Sequence, residues 1–209
     1  MIHEVLPVGP LQCNCSIIGD ELTHEAIVID PGADVSDILA IVHRHGLTVK
    51  QIVVTHAHLD HIGGAMEMKK ATGAPILLNE NDAELVAMLP MQAQWLGMKD
   101  PGKVLIDQSP KTGELVTAGK LSGLILLTPG HTEGSLCVYF EEQHKLIAGD
   151  TLFAGSIGRT DLPGGDYQKI LRSLHGTVLE LPDETEVTTG HGPSTTIGEE
   201  REDNPFLQG

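Results

Sequence analysis

Three imidazoles and a carboxylate fall within six residues in the segment His56-Ala57-His58-Leu59-Asp60-His61, at the end of a hydrophobic run. Imidazole and carboxylate are the ligand types that zinc, iron and manganese accept. Histidines packed this closely without a cation would compete for the same hydrogen-bond acceptors, so the spacing points to metal binding over a chance polar loop. Further ligand types stand singly along the chain. His131 closes Thr128-Pro129-Gly130-His131, Asp150 follows Leu146–Gly149, and His191 closes Thr188-Thr189-Gly190-His191. Each follows a hydrophobic run and a glycine. Glycine suits a tight turn that aims the next side chain, and loops at strand ends can converge while the scaffold stays rigid.

The elements that must position these residues are legible as alternating β runs and helices. Strands are predicted at Ile2–Val8, Asn14–Gly19, Ala26–Asp30 and Gln51–Thr55. A helix is predicted over Asp34–His45, where Ile38, Leu39, Ile41 and Val42 form an apolar stripe at helical spacing. A second helix opens at Gly63–Gly64, a strand follows at Ile76–Leu78, and a helix over Asn81–Met88 stops at Pro90. Residues 89–103, with Trp95, Gly97, Pro101 and Gly102, are predicted to be a surface loop of the kind that contacts substrates. The second half repeats the grammar with strands Glu114–Thr117, Leu121–Thr128, Leu136–Phe140 and Lys145–Ala148, a helix over Asp166–His175 and a last strand Glu186–Thr188. Two runs of strands with interspersed helices predict an α/β fold of four layers, α/β/β/α, in one domain over residues 1–209.

Composition narrows the partners. Hydrophobic residues make up 40% of the chain but aromatics only 3%, so the core must be aliphatic. Acidic residues outnumber basic ones 29 to 13, and the resulting charge of −16 repels phosphate backbones, so no nucleic-acid partner is expected. No apolar run approaches the ~20 residues needed to span a bilayer, and Met1–Pro10 carries Glu4 where a signal peptide has basic residues. A soluble cytoplasmic protein with no membrane partner is the expectation; its oligomeric state is open. Cys13, Cys15 and Cys137 are too few for an even disulfide framework, and Cys13 and Cys15 sit at strand spacing on opposite faces. All three are read as ordinary buried thiols. His3, His24, His43, His45, His144 and His175 lie off the ligand pattern and are assigned surface or structural roles. Ala154–Gly158 lacks the first glycine of a nucleophile elbow, and Gly113–Lys120 is too long for a phosphate-binding loop.

The ordered set, H-x-H-x-D-H followed by His131, Asp150 and His191, resembles the metallo-β-lactamase superfamily, from Val5–Cys15 to the tail Gly190–Leu207. Within it, Gly149–Phe153 and Gly155–Asp161 are similar to glyoxalase II-like (hydroxyacylglutathione hydrolase-like) hydrolases. The resemblance implies the metallo-β-lactamase sandwich and two divalent metal ions, zinc first, with iron or manganese as substitutes. It assigns His56, His58 and His131 to one metal and Asp60, His61 and His191 to the other, with Asp150 bridging and Asp60 and Asp150 counted as catalytic. The implied reaction is hydrolysis of a small-molecule thioester such as S-lactoylglutathione by a metal-bridging hydroxide formed near pH ~7. Such a site keeps a net charge of about +1 and favours an anionic transition state. A thiolate leaves near neutral pH without a dedicated general acid. Two alternatives stay open: a mononuclear iron persulfide dioxygenase using His56, His131 and Asp150, and a non-catalytic metal-binding module. Arg159 and Asp161 are read as an ion pair supporting the Asp150 loop, with substrate contact as the other reading. Full-length glyoxalase II has a glutathione-contacting C-terminal extension, whereas here 18 residues follow His191 and Arg201 is the only basic one among them.

Overall fold

The chain's β-branched runs form two sheets, seen in a computed structural model that describes residues 1–208. The first sheet contains β1 (Ile2–Val8), β2 (Cys13–Gly19), β3 (Glu25–Ile29), β4 (Thr48–Val53) and β5 (Ile76–Leu77), in that spatial order. Its first three strands pair antiparallel and the remainder parallel, because a helical crossover separates β3 from β4 and another separates β4 from β5. The second sheet uses β6 (Leu115–Ala118), β7 (Leu121–Leu127), β8 (Leu136–Phe140), β9 (Lys145–Gly149), β12 (Glu186–Thr189) and β13 (Thr195–Thr196). Its order is β13-β12-β9-β8-β7-β6, and β12 joins β9 in parallel. A small hairpin of β10 (Leu152–Phe153) and β11 (Ser156–Ile157) follows β9.

Strand alternation divides the apolar residues into three layers. Ile18, Ile27, Ile29 and Val53 of the first sheet meet Ile125, Val138, Phe140 and Ile147 of the second in the layer between the sheets. The alternate residues Ile17, Val28 and Ile52 face outward against α1 (Val35–Arg44) and α3 (Ala65–Thr72). On the far side Tyr139, Leu146 and Val187 pack against α6 (Tyr167–Gly176) and α7 (Ile197–Asp203). The α/β/β/α order expected from the strand runs is therefore the order observed. Among the described residues, no helix is long and apolar enough to cross a membrane.

Two local expectations are corrected. Residues 89–103 are not all loop: α5 spans Leu89–Leu96, after α4 (Ala83–Ala87). The helix expected over Asn81–Met88 ends at Ala87, before Pro90, and Pro90 itself occupies the first turn of α5, where its missing N–H has no intrahelical partner to lose. The helix expected from Gly63–Gly64 begins at Ala65 and is preceded by α2 (Leu59–Ile62), a single turn that carries Asp60 and His61. Leu59 N–H at its start is held by Gln92 Oε1 of α5 at 2.9 Å, so the two unanticipated helices brace one another.

Candidate metal centre

All seven residues singled out as ligands meet at one end of the sandwich, where loops from both sheets converge. His56 and His58 follow β4, Asp60 and His61 follow on α2, and His131, Asp150 and His191 follow β7, β9 and β12. His56 Nε2 lies 3.0 Å from His58 Nδ1, which lies 3.0 Å from His131 Nε2. On the other side His61 Nε2 and His191 Nε2 are 3.2 Å apart, and Asp60 Oδ2 is 3.2 Å from His191 Nε2. Asp150 stands between the two groups. Its Oδ2 is 3.5 Å from His131 Nε2, and its Oδ1 is 3.4 Å from His61 Nε2 and 3.7 Å from His191 Nε2.

In four of the five rings the outer nitrogen donates to a fixed acceptor. His131 Nδ1 donates to the Arg159 carbonyl at 2.7 Å, and His191 Nδ1 to the Leu11 carbonyl at 2.9 Å. His61 Nδ1 donates to Asp30 Oδ2 at 2.9 Å. Thr55 gives its hydroxyl proton to the same carboxylate at 2.7 Å, so at 3.1 Å its oxygen accepts from His56 Nδ1. A neutral imidazole has one N–H; on His56 and His131 that proton points outward, which leaves their Nε2 lone pairs aimed at His58 Nδ1. The burial of His61 and His191 is instead outweighed by the neighbouring carboxylates, which raise their pKa values. Burial keeps the rings of His56, His58 and His131 neutral by lowering their pKa values, that of His58 to about 4. Burial alone would raise the Asp150 carboxyl, but His61, His131 and His191 hold it below the usual carboxylate range. Its Oδ1 is buried with no hydrogen-bond partner.

Ring nitrogens held 3.0–3.2 Å apart around an unpartnered carboxylate oxygen repel one another unless a proton or a metal cation lies between them. Two nitrogens bound tetrahedrally to one zinc at 2.0–2.1 Å stand about 3.3 Å apart, close to the spacing found. The residues present therefore fit metal ions: one among His56, His58 and His131, another among Asp60, His61 and His191, with one Asp150 oxygen toward each. The glycines before the single ligands serve different ends. Gly130 and Gly149 have φ of 140° and 50°, as a turn demands, whereas Gly190 makes room: a Cβ there would collide with Asp150 Oδ1.

Three residues that support the ligands escaped the sequence reading. Asp30 accepts from His61 and from both the N–H and hydroxyl of Thr55. Its signal was available, since it ends the run Ala26–Ile29 as the recognised ligands end theirs. Asp82 accepts from Ala57 N–H at 2.8 Å, Gly134 N–H at 2.6 Å and Thr132 Oγ1 at 2.9 Å, joining the loop of His56 and His58 to that of His131. Gln92 also binds the Ala57 carbonyl. The cysteines are free and buried, but Cys13 is more than core, with Sγ 3.5 Å from His61 Nδ1. Burial pushes its thiol up to about 12, which keeps it neutral beside the ring. Arg159 and Asp161 form a two-pronged ion pair with both bonds at 2.8 Å. The Arg159 backbone steadies His131, and Arg159 also lines a cleft of about 270 Å³ that opens over His58, Asp60, His131 and Asp150.

The family model described as the metallo-beta-lactamase superfamily matches residues 8–191. A hydroxyacylglutathione hydrolase, GloC, of Haemophilus influenzae is 39% identical over 98% of this chain and 97% of its own. Among solved structures, the BLEG-1 B3 metallo-beta-lactamase superposes with a TM-score of 0.92 at 35% identity, covering 100% of both chains. The di-iron-bound form of TTHA1623 superposes with a TM-score of 0.89 at 36% identity, covering 98% of this chain and 100% of that one.

Proposed function

We propose, from the premise that this chain belongs to the metallo-β-lactamase superfamily, that it is a dinuclear metal-dependent hydrolase acting on small-molecule acyl thioesters of the hydroxyacylglutathione kind. The observation that carries the reading is Asp150, whose two carboxylate oxygens face separate groups of ligands. A mononuclear site would leave Asp60, His61 and His191 gathered around Oδ1 for no purpose. His56, His58 and His131 would hold one ion, Asp60, His61 and His191 the other, and Asp150 both, with zinc as first choice and iron or manganese as substitutes. When bound, divalent ions would lower the pKa of water toward neutrality and polarise the scissile carbonyl.

The chain's own residues supply orientation and exclusion. The carbonyls of Arg159 and Leu11, the Thr55 hydroxyl and the Asp30 carboxylate fix the rings of His131, His191, His56 and His61 by their outer N–H groups. Leu85, Met88 and Leu96 wall one side of the cleft with apolar side chains. Among the described residues lining it, Arg159 is the sole Lys or Arg, and a guanidinium does not give up its proton. With no neutral acid held ready for the leaving group, the site suits one that departs as a stable anion. A thiolate does so near neutral pH, whereas an amine leaving group would need a proton. The GloC relative supports the same class, and it is matched over 97% of its own length, so that named activity belongs to a chain of similar extent.

The expected result is cleavage of S-lactoylglutathione by metal-loaded protein under nitrogen, because oxygen has no part in hydrolysis. Oxygen uptake with glutathione persulfide, and no thioester cleavage by zinc- or iron-loaded protein, would replace this reading with the mononuclear dioxygenase. Cleavage of a β-lactam alone would move it toward the activity named for BLEG-1.

A further inference from the structure

The cleft over the candidate centre has a one-sided chemistry. Away from the ligands its wall is mostly apolar, with Leu85 of α4, Met88 between the helices, Trp95 and Leu96 of α5, and Leu162, while Gln92 is a polar member. Trp95 is 64% exposed and Leu96 43% exposed. Single exposed apolar residues need no explanation, but these line the same cavity as His58, Asp60 and Asp150. Water against an indole and a leucine is released when an apolar group covers them, which favours binding. A cavity of about 270 Å³ leaves room for an acyl group beside the ligands.

We propose that this wall holds the acyl group of the substrate, and that the preferred substrates are thioesters of aromatic or branched apolar acids. The inference rests on the thioesterase reading above and narrows it. A thioester placed with its carbonyl beside Asp60 and Asp150 has two ends to accommodate. The thiol end of a glutathione conjugate carries two carboxylates and an ammonium. Setting those against Leu85, Met88 and Trp95 would strip their hydration with nothing in return. Arg159, with a side chain 60% exposed, stands at the rim and suits the charged, solvated end. The acyl group is left to the apolar wall. Trp95 is then a specificity-determining residue, and as the chain's single tryptophan it reports on its own occupancy.

The test compares S-lactoylglutathione with S-mandeloylglutathione, which share the thiol and the α-hydroxyl and differ by methyl against phenyl. With the metal-loaded full chain, KM for the mandeloyl ester should be about tenfold lower. Trp95→Ala should bring the ratio of the two KM values near unity. Emission of Trp95 in the unmodified protein gives a second measurement that needs no variant and no turnover. S-benzylglutathione should shift that emission to the blue and bind about tenfold tighter than S-methylglutathione. Equal KM values, a preference that survives Trp95→Ala, or equal binding of the two thioethers would overturn the proposal. If neither thioester is cleaved, the hydrolase reading fails, and the thioether titration alone decides whether the wall binds apolar groups.

Discussion

Asp82 accepts three hydrogen bonds while almost wholly buried, at 1% exposure, and burial raises its carboxyl above the ordinary value. A carboxylate kept in such a place needs all its donors, and these come from Ala57 on one ligand loop and Thr132 and Gly134 on another. An asparagine at this position would turn an amide N–H toward one of two backbone N–H groups. Asp82→Asn is therefore expected to destabilise the fold by about 2 kcal/mol. Because only the loops of His56, His58 and His131 are joined by this carboxylate, one of the two metals should be released at a roughly 10- to 100-fold lower chelator concentration. Competition titration with a chromogenic chelator measures both affinities. Equal weakening of the two sites would show that Asp82 supports the fold at large.

At the scale of elements, β1 carries a titratable group whose behaviour is separable from the centre. His3 faces Ser16 of β2, 3.3 Å away, and burial, followed by Lys145, lowers its ring to about 4 against the partial opposition of Glu186 and Glu4. The unfolded chain, with an ordinary value near 6.5, binds the proton first. His3 therefore leaves stability intact above pH ~6.5 and removes it as pH falls toward 4. Discounted for partial exposure, the loss by pH ~5 is about 1 kcal/mol, or roughly 2–4 °C in Tm. His3→Gln should narrow the Tm difference between pH 7.5 and 5 by that amount in calorimetry; an unchanged difference would mean that the ring is solvated. The elements themselves were unevenly legible. Runs such as Leu136–Phe140 and Ile2–Val8 appear with the bounds predicted, because β-branched and aliphatic residues mark a strand independently of its partners. The two-residue strands β10, β11 and β13 are too short to carry a period. Helix α7 was missed despite a readable capping box at Thr196 and Glu199. Asp82 was illegible for a different reason: its donors stand 25, 50 and 52 residues away, and only the folded chain brings them together.

For the whole molecule, the ligands are divided between the two sheets. His56, His58, Asp60 and His61 follow β4 of the first, whereas His131, Asp150 and His191 follow strands of the second. The apolar layer between the sheets holds them together along their length, and at this end hydrogen bonds also join them directly. One is the Asn14 N–H to the Gly190 carbonyl at 2.8 Å; the Asn14 side chain adds bonds to the carbonyls of Thr189 and Gly192, both at 3.0 Å. Metal ions held as proposed would add cross-links between the sheets at this end, and their removal would leave buried ring nitrogens facing one another. Occupancy at a thousand times its dissociation constant stabilises a fold by about 4 kcal/mol per site. For a chain of this length each kilocalorie moves Tm by roughly 2–4 °C. Chelation to the metal-free state should accordingly lower Tm by roughly 8–16 °C for each ion lost, and readdition should restore it. His191→Ala removes a ligand of the second group only, so its metal-loaded Tm should fall between the loaded and stripped values of the unmodified protein. Scanning calorimetry beside metal analysis of the same samples tests this directly. A Tm that stays constant while the metal content falls to zero would mean that the sandwich closes by its apolar layer alone.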